Sequence, residues 1–463
     1  MSKLLKYLKK YKIESILAPF FKLIEVAFEL IVPLIVSTII DIGIENGDKV
    51  YIIKRCLLLG LFGILGLCST LVAQYFSAKA SVGFASDIRH ALFQHIGKLS
   101  YSQLDSLGAP TLITRLTGDI NQVQTGTNLT LRLVLRSPFV VFGAVIMAFT
   151  VDAKSSLVFV VAVPALASVV FAIMLVCIPM YRKVQQKLDS LLSKTRENLL
   201  GTRVVRAFCK EEEEIADFDA KNSALTEMQT AVGRISAFMN PATFVLINLA
   251  IIALIYVGAI RVNSGAISRG AVVALYNYMS QILVELIKLA NLIISVTKAI
   301  ACGNRIQSVL DIEPGTVPGH VIDGNKNSEY SVEFDGACLS YNGSEESLHN
   351  IDLKIPRGSS IGVIGSTGSG KTSLVNLIPR FYDVTGGCVL VDGVDVRDYD
   401  TKALRSKIGV VSQKKALFAG TVRDNIRFGK KDADEAELTH AAEVAQAAAF
   451  IQEKPHRFDE RIV

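Results

Sequence analysis

Tryptophan is absent from the 463-residue chain, no Cys-x-x-Cys pair occurs, and no charged residue falls within Cys56–Ser77, Ser155–Tyr181 or Ile235–Ile260. The last absence excludes an ordinary soluble protein. Each run exceeds the ~20 residues that cross a hydrocarbon core, and three such runs in one chain mean a membrane protein. The seven cysteines (Cys56, Cys68, Cys177, Cys209, Cys302, Cys338, Cys388) are odd in number and widely scattered. That spacing argues against a disulfide frame or a metal motif, so they read as small apolar residues in a reducing or lipid setting. A basic stripe interleaved with aromatics is also lacking. The net charge of +6 is spread over loops, so no nucleic-acid partner is expected. Nor does the start resemble a signal peptide: Lys22, Glu25 and Glu29 interrupt the apolar stretch after the basic Met1–Lys12, and no cleavage site follows. An interfacial helix leading into a first span is expected instead.

What is present is a pattern of six spans. Besides the three uncharged runs, Ile16–Ile42, Ser137–Val151 and Ala271–Val296 are apolar enough to cross, the last despite Glu285 and Lys288. Short connections near Asn46–Lys49, Asp152–Ser155 and Arg261–Arg269 alternate with long segments, Lys79–Thr130 and Arg182–Arg234. The long ones carry Arg89, Lys98, Arg115, Arg182, Lys183, Lys187, Arg203, Arg206 and Lys210, which places them in the cytoplasm by the positive-inside rule. Arg261 and Arg269 on the outer side oppose this weakly. The long segments have few glycines or prolines, and apolar steps such as Leu188, Leu191, Leu192, Leu199 predict helices that continue the spans into the cytoplasm.

The composition then changes. Residues 311–328, rich in Pro, Gly, Asn and Asp, read as a linker between a membrane domain, 1–310, and a domain of short β-like runs, 329–463. Ser331–Phe334 alternates, Ser360–Ile364 is an apolar run, and Cys388–Val391 ends at an Asp392-Gly393 turn. The run Ser360–Ile364 leads into Gly365-Ser366-Thr367-Gly368-Ser369-Gly370-Lys371-Thr372, followed by Ser373, which is the phosphate-binding pattern G-x-x-x-x-G-K-[ST] in full. Glycines let successive backbone N–H groups turn toward one anion. Lys371 supplies a mobile charge for the outer phosphates, and the Thr372 hydroxyl can ligate Mg²⁺. A strand before the loop and a helix after it are expected.

In its order of motifs the chain resembles the ATP-binding cassette (ABC) transporters, of the exporter type with a fused membrane domain. The resemblance implies a six-helix all-α membrane domain with long cytoplasmic extensions, then an α/β P-loop nucleotide-binding domain. It implies that Tyr341 stacks on adenine, that Gly365–Ser373 is the Walker A loop for ATP, and that Gln413 is the Q-loop glutamine that reaches Mg²⁺ and the attacking water. Leu417-Phe418 and Asp424-Asn-Ile426 also look typical of exporters. Ala109–Asp119 and Lys210–Asp219 resemble the coupling segments that pack on a cassette. The family's signature loop, Walker B aspartate, catalytic glutamate and switch histidine find no match, and Phe458–Val463 looks like the approach to the first of these. The expectation is a C-terminally truncated chain that binds ATP without turning it over.

The function implied is ATP-dependent export of amphiphilic drugs or lipids across the cell membrane by alternating access. The chain would be one half of a homo- or heterodimer, with N-terminus and cassette cytoplasmic. A peptide exporter subunit and a non-transporting membrane ATPase remain alternatives, and fusion argues against an importer. Within the first span Lys22, Glu25 and Glu29 share one helix face. They read either as a polar patch on the translocation cavity or as an internal Lys22–Glu25 pair, the latter preferred. Arg132 and Arg136 are expected at the cytoplasmic mouth.

Overall fold

The computed structural model describes residues 2–315, 319–325, 327–341, 346–413 and 416–462. Of the expected linker, residues 316–318 and 326 lie outside the described residues. The chain divides into two compact units, Met1–Thr316 and Val317–Val463. Its linker residues are engaged on either side of that division: the Gly315 amide donates to Gln103 Oε1, and Val321 bridges in parallel to Tyr399.

Among the described residues, the first unit has six helices long and apolar enough to cross a membrane: Leu5–Ile44, Lys49–Ile96, Ala109–Val151, Ala153–Ala207, Glu211–Asn263 and Arg269–Leu310. Several far exceed a bilayer. The fourth, with 55 residues, is about 80 Å long at 1.5 Å per residue. The charged segments after each apolar run therefore continue the same helix, as their periodicity predicts. Charge marks where a helix leaves hydrocarbon, not where it ends. Along the second span Leu57, Leu61, Ile64, Leu67 and Leu71 are all exposed at three- and four-residue steps. A stripe of that kind is stable against lipid or another apolar surface, not against water. The chain is a multi-pass membrane protein.

Opposite the exposed stripes the spans share a core. Val26 and Leu30 of the first span meet Val140 and Ala144 of the third, Phe159 and Leu166 of the fourth, Ile247 and Leu254 of the fifth, and Tyr278 and Ile282 of the sixth. Tyr278 hydroxyl donates to the Leu30 carbonyl at 2.6 Å, so its polar end is satisfied inside the core. A second cluster ties Leu4 to Phe84, Ile88 and Leu92 of the second span and to Ile306 and Val309 of the sixth. The fourth and fifth spans pair along their length and turn at Phe208–Lys210, where Cys209 takes a φ of 50°. Lys210–Asp219, expected as a coupling helix, is thus no separate element: from Glu211 it is the first turns of the fifth span.

The expected outer arginine, Arg261, lies close to a carboxylate. Arg261 Nη2 lies 2.6 Å from Asp152 Oδ1, and the other Asp152 oxygen caps the fourth span through the Ser155 amide.

The second unit is built on a four-stranded antiparallel sheet in the order β2-β1-β3-β4, with β1 Tyr330–Ser340, β2 Glu346–Pro356, β3 Gly386–Val391 and β4 Val394–Asp395. The Asp392-Gly393 turn forms as expected, with φ of 48° and 73°. Phe334, Leu339, Leu348, Leu377, Val389 and Tyr399 make its core.

The expected strand Ser360–Ile364 is not formed. A strand exists only with a ladder partner, and none of the described residues pairs with this run. Its apolar side chains stay out of the core, with Ile364 98% exposed. Val410 and Val411, ahead of Gln413, are exposed in the same way.

Candidate functional site

The loop Gly365–Gly370 joins the exposed run to the helix Lys371–Leu377. Gly368 and Gly370 have φ of 87° and 85°, a conformation L side chains rarely adopt, so both glycines are required by the backbone. Gly370 is also held by space: a Cβ there would come within 2.8 Å of the Leu348 side chain and the Ser347 carbonyl on β2. The hairpin thereby fixes where the helix starts. The turn is closed by the Ser369 amide on the Ser366 carbonyl, and Gly370 accepts from the Leu374 amide.

Lys371 curls back over this loop. Its Nζ donates to the Gly365 carbonyl at 2.8 Å and to the Ser366 carbonyl at 2.7 Å. The ammonium therefore sits among the loop's own carbonyls, where an incoming anion can draw it off. The two hydroxyls that follow differ. Ser373 Oγ accepts from the Tyr341 hydroxyl at 2.9 Å, whereas Thr372 is exposed and its hydroxyl has no hydrogen bond among the described residues. This suits Thr372 to a hard cation, which takes oxygen ligands.

Tyr341, at the end of β1, is half-buried and packs edge-on to Tyr382, ring centroids 5.0 Å apart. The structure brings it to the helix that carries Lys371. Gln413 is exposed and makes no hydrogen bond to the loop among the described residues. The loop and Tyr341 are thus gathered, and Gln413 is not joined to them.

The membrane unit holds a second polar constellation, which pairwise spacing could not reveal. Lys22 pairs with Glu25, as the preferred reading of the first span expects. Glu29 belongs elsewhere: Arg136 Nη2 donates to its Oε2 at 2.9 Å, while Arg136 Nη1 binds Glu285. Ser137 Oγ at 3.1 Å and Lys288 Nζ at 2.8 Å complete the shell of Glu285. Arg136, expected at the cytoplasmic mouth, is enclosed by protein. It is buried, because two carboxylates from the first and sixth spans converge on it. A buried charge needs such partners, and the only sequence clue was the presence of Glu285 and Lys288 inside an apolar run.

Comparison with known proteins agrees with both units. Residues 15–286 match the ABC transporter transmembrane region and residues 348–461 match the ABC transporter family. The chain belongs to the ABC transporters, as an exporter-type half-transporter with membrane and ATP-binding domains fused. An uncharacterized ABC transporter ATP-binding protein of Mycobacterium tuberculosis is 35% identical over 93% of this chain and 75% of its own length. The ATP-dependent lipid A-core flippase of Desulfotalea psychrophila is 30% identical over 81% of this chain and 65% of its own. A putative multidrug export ATP-binding/permease protein of Bacillus subtilis is 29% identical over 100% of this chain and 81% of its own. Membership implies ATP binding by the second unit.

Proposed function

We propose that this protein exports amphiphilic small molecules, drugs or lipids, across the cell membrane, driven by ATP and by alternating access. It acts with a second half-transporter, of the same or a related kind, with N-terminus and cassette on the cytoplasmic side. The domain boundaries that go with this reading are a membrane domain over 1–310, a linker over 311–328 and a nucleotide-binding domain over 329–463. The cargo class draws on the relatives named for lipid A-core flipping and multidrug export. The orientation rests on the Lys and Arg residues of the two long segments, Lys79–Thr130 and Arg182–Arg234.

The observation that carries the reading is the phosphate loop. The amides of Gly365, Ser366, Thr367, Gly368, Ser369 and Gly370 wrap the β- and γ-phosphates, and Lys371 leaves its carbonyl partners to bind their oxygens. Tyr341 stacks on adenine, held in place through Ser373. Thr372, with Gln413, would hold Mg²⁺, which when bound neutralises charge on the phosphate oxygens. These residues bind and orient; a carboxylate to polarise water is not among them.

Nucleotide binding drives transport only if it favours one conformation of the membrane helices over another. The protein binds ATP and its partner half supplies the hydrolysis, so the test is transport in proteoliposomes that hold it together with a hydrolysing half-transporter: ATP-driven movement of a fluorescent phospholipid or a cationic dye, abolished by Lys371→Ala in this chain. Equal movement with and without ATP in the unaltered protein would remove the proposal.

A further inference from the structure

The hairpin that carries Tyr341 also gathers three side chains of another kind. Cys338 lies on β1, and Glu346 and His349 lie on β2; the thiol sulfur, a carboxylate oxygen and an imidazole nitrogen all fall within 4.8 Å of one another. Regular strand alternation would not bring them together. Between the pairs Ala337↔Ile351 and Leu339↔Leu348 the ladder slips, so that His349 and Asn350 both stand opposite Cys338. Asn350 absorbs the extra residue with a φ of 46°, and its amide donates to Cys338 Sγ at 3.2 Å. The bulge leaves Leu348 in the core and turns His349 outward, with its Nδ1 2.5 Å from Glu346 Oε2.

We propose that Cys338, Glu346 and His349 form a zinc-type metal site on this hairpin, separate from the Mg²⁺ position assigned to Thr372 and Gln413. Thiolate, imidazole and carboxylate are the three ligand types zinc takes from proteins, at about 2.3, 2.0–2.1 and 2.0–2.2 Å. On a tetrahedron of those radii ligand atoms stand about 3.3–3.8 Å apart, which side-chain rotation alone can reach from the observed spacing. The exposed fourth position is left to water. Binding deprotonates the Cys338 thiol, the sulfur–metal bond replacing S–H and the proton passing to solvent. Magnesium, which prefers six oxygens, does not compete here. The seven cysteines read as inert from spacing alone, because the bulge that assembles this trio is invisible in the sequence.

The full chain, purified in detergent and stripped with chelator, is titrated with Co²⁺ and then with Zn²⁺. One Co²⁺ per chain binds with the near-ultraviolet absorption of thiolate-to-metal charge transfer, and is displaced by Zn²⁺ but not by excess Mg²⁺. His349→Ala, whose side chain is 81% exposed and so does not endanger folding, weakens Zn²⁺ binding at least about tenfold. Cys338→Ser removes the charge-transfer band. Persistence of that band in Cys338→Ser, or unchanged Zn²⁺ affinity in His349→Ala, overturns the assignment.

Discussion

The hydroxyl of Tyr341 donates to Ser373 Oγ across 2.9 Å, which ties the end of β1 to the helix that opens at Lys371. The bond joins the two ends of the proposed nucleotide, the base and the phosphates, through protein. It also separates two roles of one residue. Tyr341→Phe keeps the ring and loses only the tether, worth about 0.5–1.5 kcal/mol, so ATP affinity should fall no more than about tenfold. Tyr341→Ala loses the ring too, and base stacking adds about 1–3 kcal/mol. Titration with a fluorescent ATP analogue should rank them unaltered, Phe, Ala; equal affinities for all three would remove adenine stacking from the account.

Arg136 makes a second separable prediction. Glu285→Gln leaves Arg136 and Lys288 without their shared buried carboxylate, and losing one partner of a buried pair costs about 3–5 kcal/mol. Glu29→Gln leaves Arg136 bound to Glu285, and Glu29 is 37% exposed, so its loss should stay within about 1 kcal/mol. Thermal unfolding in detergent distinguishes them, and equal losses would contradict the hierarchy.

Transport selectivity follows from the same cluster. Because Arg136 already neutralises Glu29, Glu29→Gln should leave the ratio of cationic to neutral substrate transport unchanged. A selective loss of cationic cargo would restore the reading of this face as a cation-attracting patch.

The spans and the phosphate loop could be read in the sequence because both depend on short-range pattern: uncharged length for one, glycine spacing for the other. Tertiary partners could not. Arg136 and Glu285 are 149 positions apart, and nothing local says they meet. Ser360–Ile364 failed for a related reason. Its apolar run and β-branched residues suit a strand, but a ladder needs a neighbour, and none of the described residues supplies it. The tie between Tyr341 and Ser373 was hidden for the same reason, since 32 positions separate them.

Asp152 predicts a pH dependence. Burial, the largest influence, raises its pKa, but hydrogen bonds from Arg261 and Ser155 prevail and hold it at about 2, below the usual 3.8. A depressed carboxyl stabilises the fold fully above the unfolded value and loses that contribution as pH falls from about 4 through about 2. The contribution at neutral pH is about 2 kcal/mol. Replacing Arg261 with Met should therefore lower the melting temperature at pH 7 and narrow the difference from the unaltered protein at pH 2. A deficit that does not shrink with acid would mean the pair contributes by packing alone.

The central claim is that the loop around Gly368 and Gly370 grips a triphosphate and that the membrane helices respond. It is tested most directly by measuring, in one reconstituted sample, ATP-analogue affinity and the distance between spin labels on the fourth and sixth spans, for the unaltered protein and for Lys371→Ala. The account predicts that ATP changes the label distance in the unaltered protein, and that Lys371→Ala weakens binding at least tenfold and removes the change. Undiminished affinity together with an undiminished distance change in Lys371→Ala would contradict it.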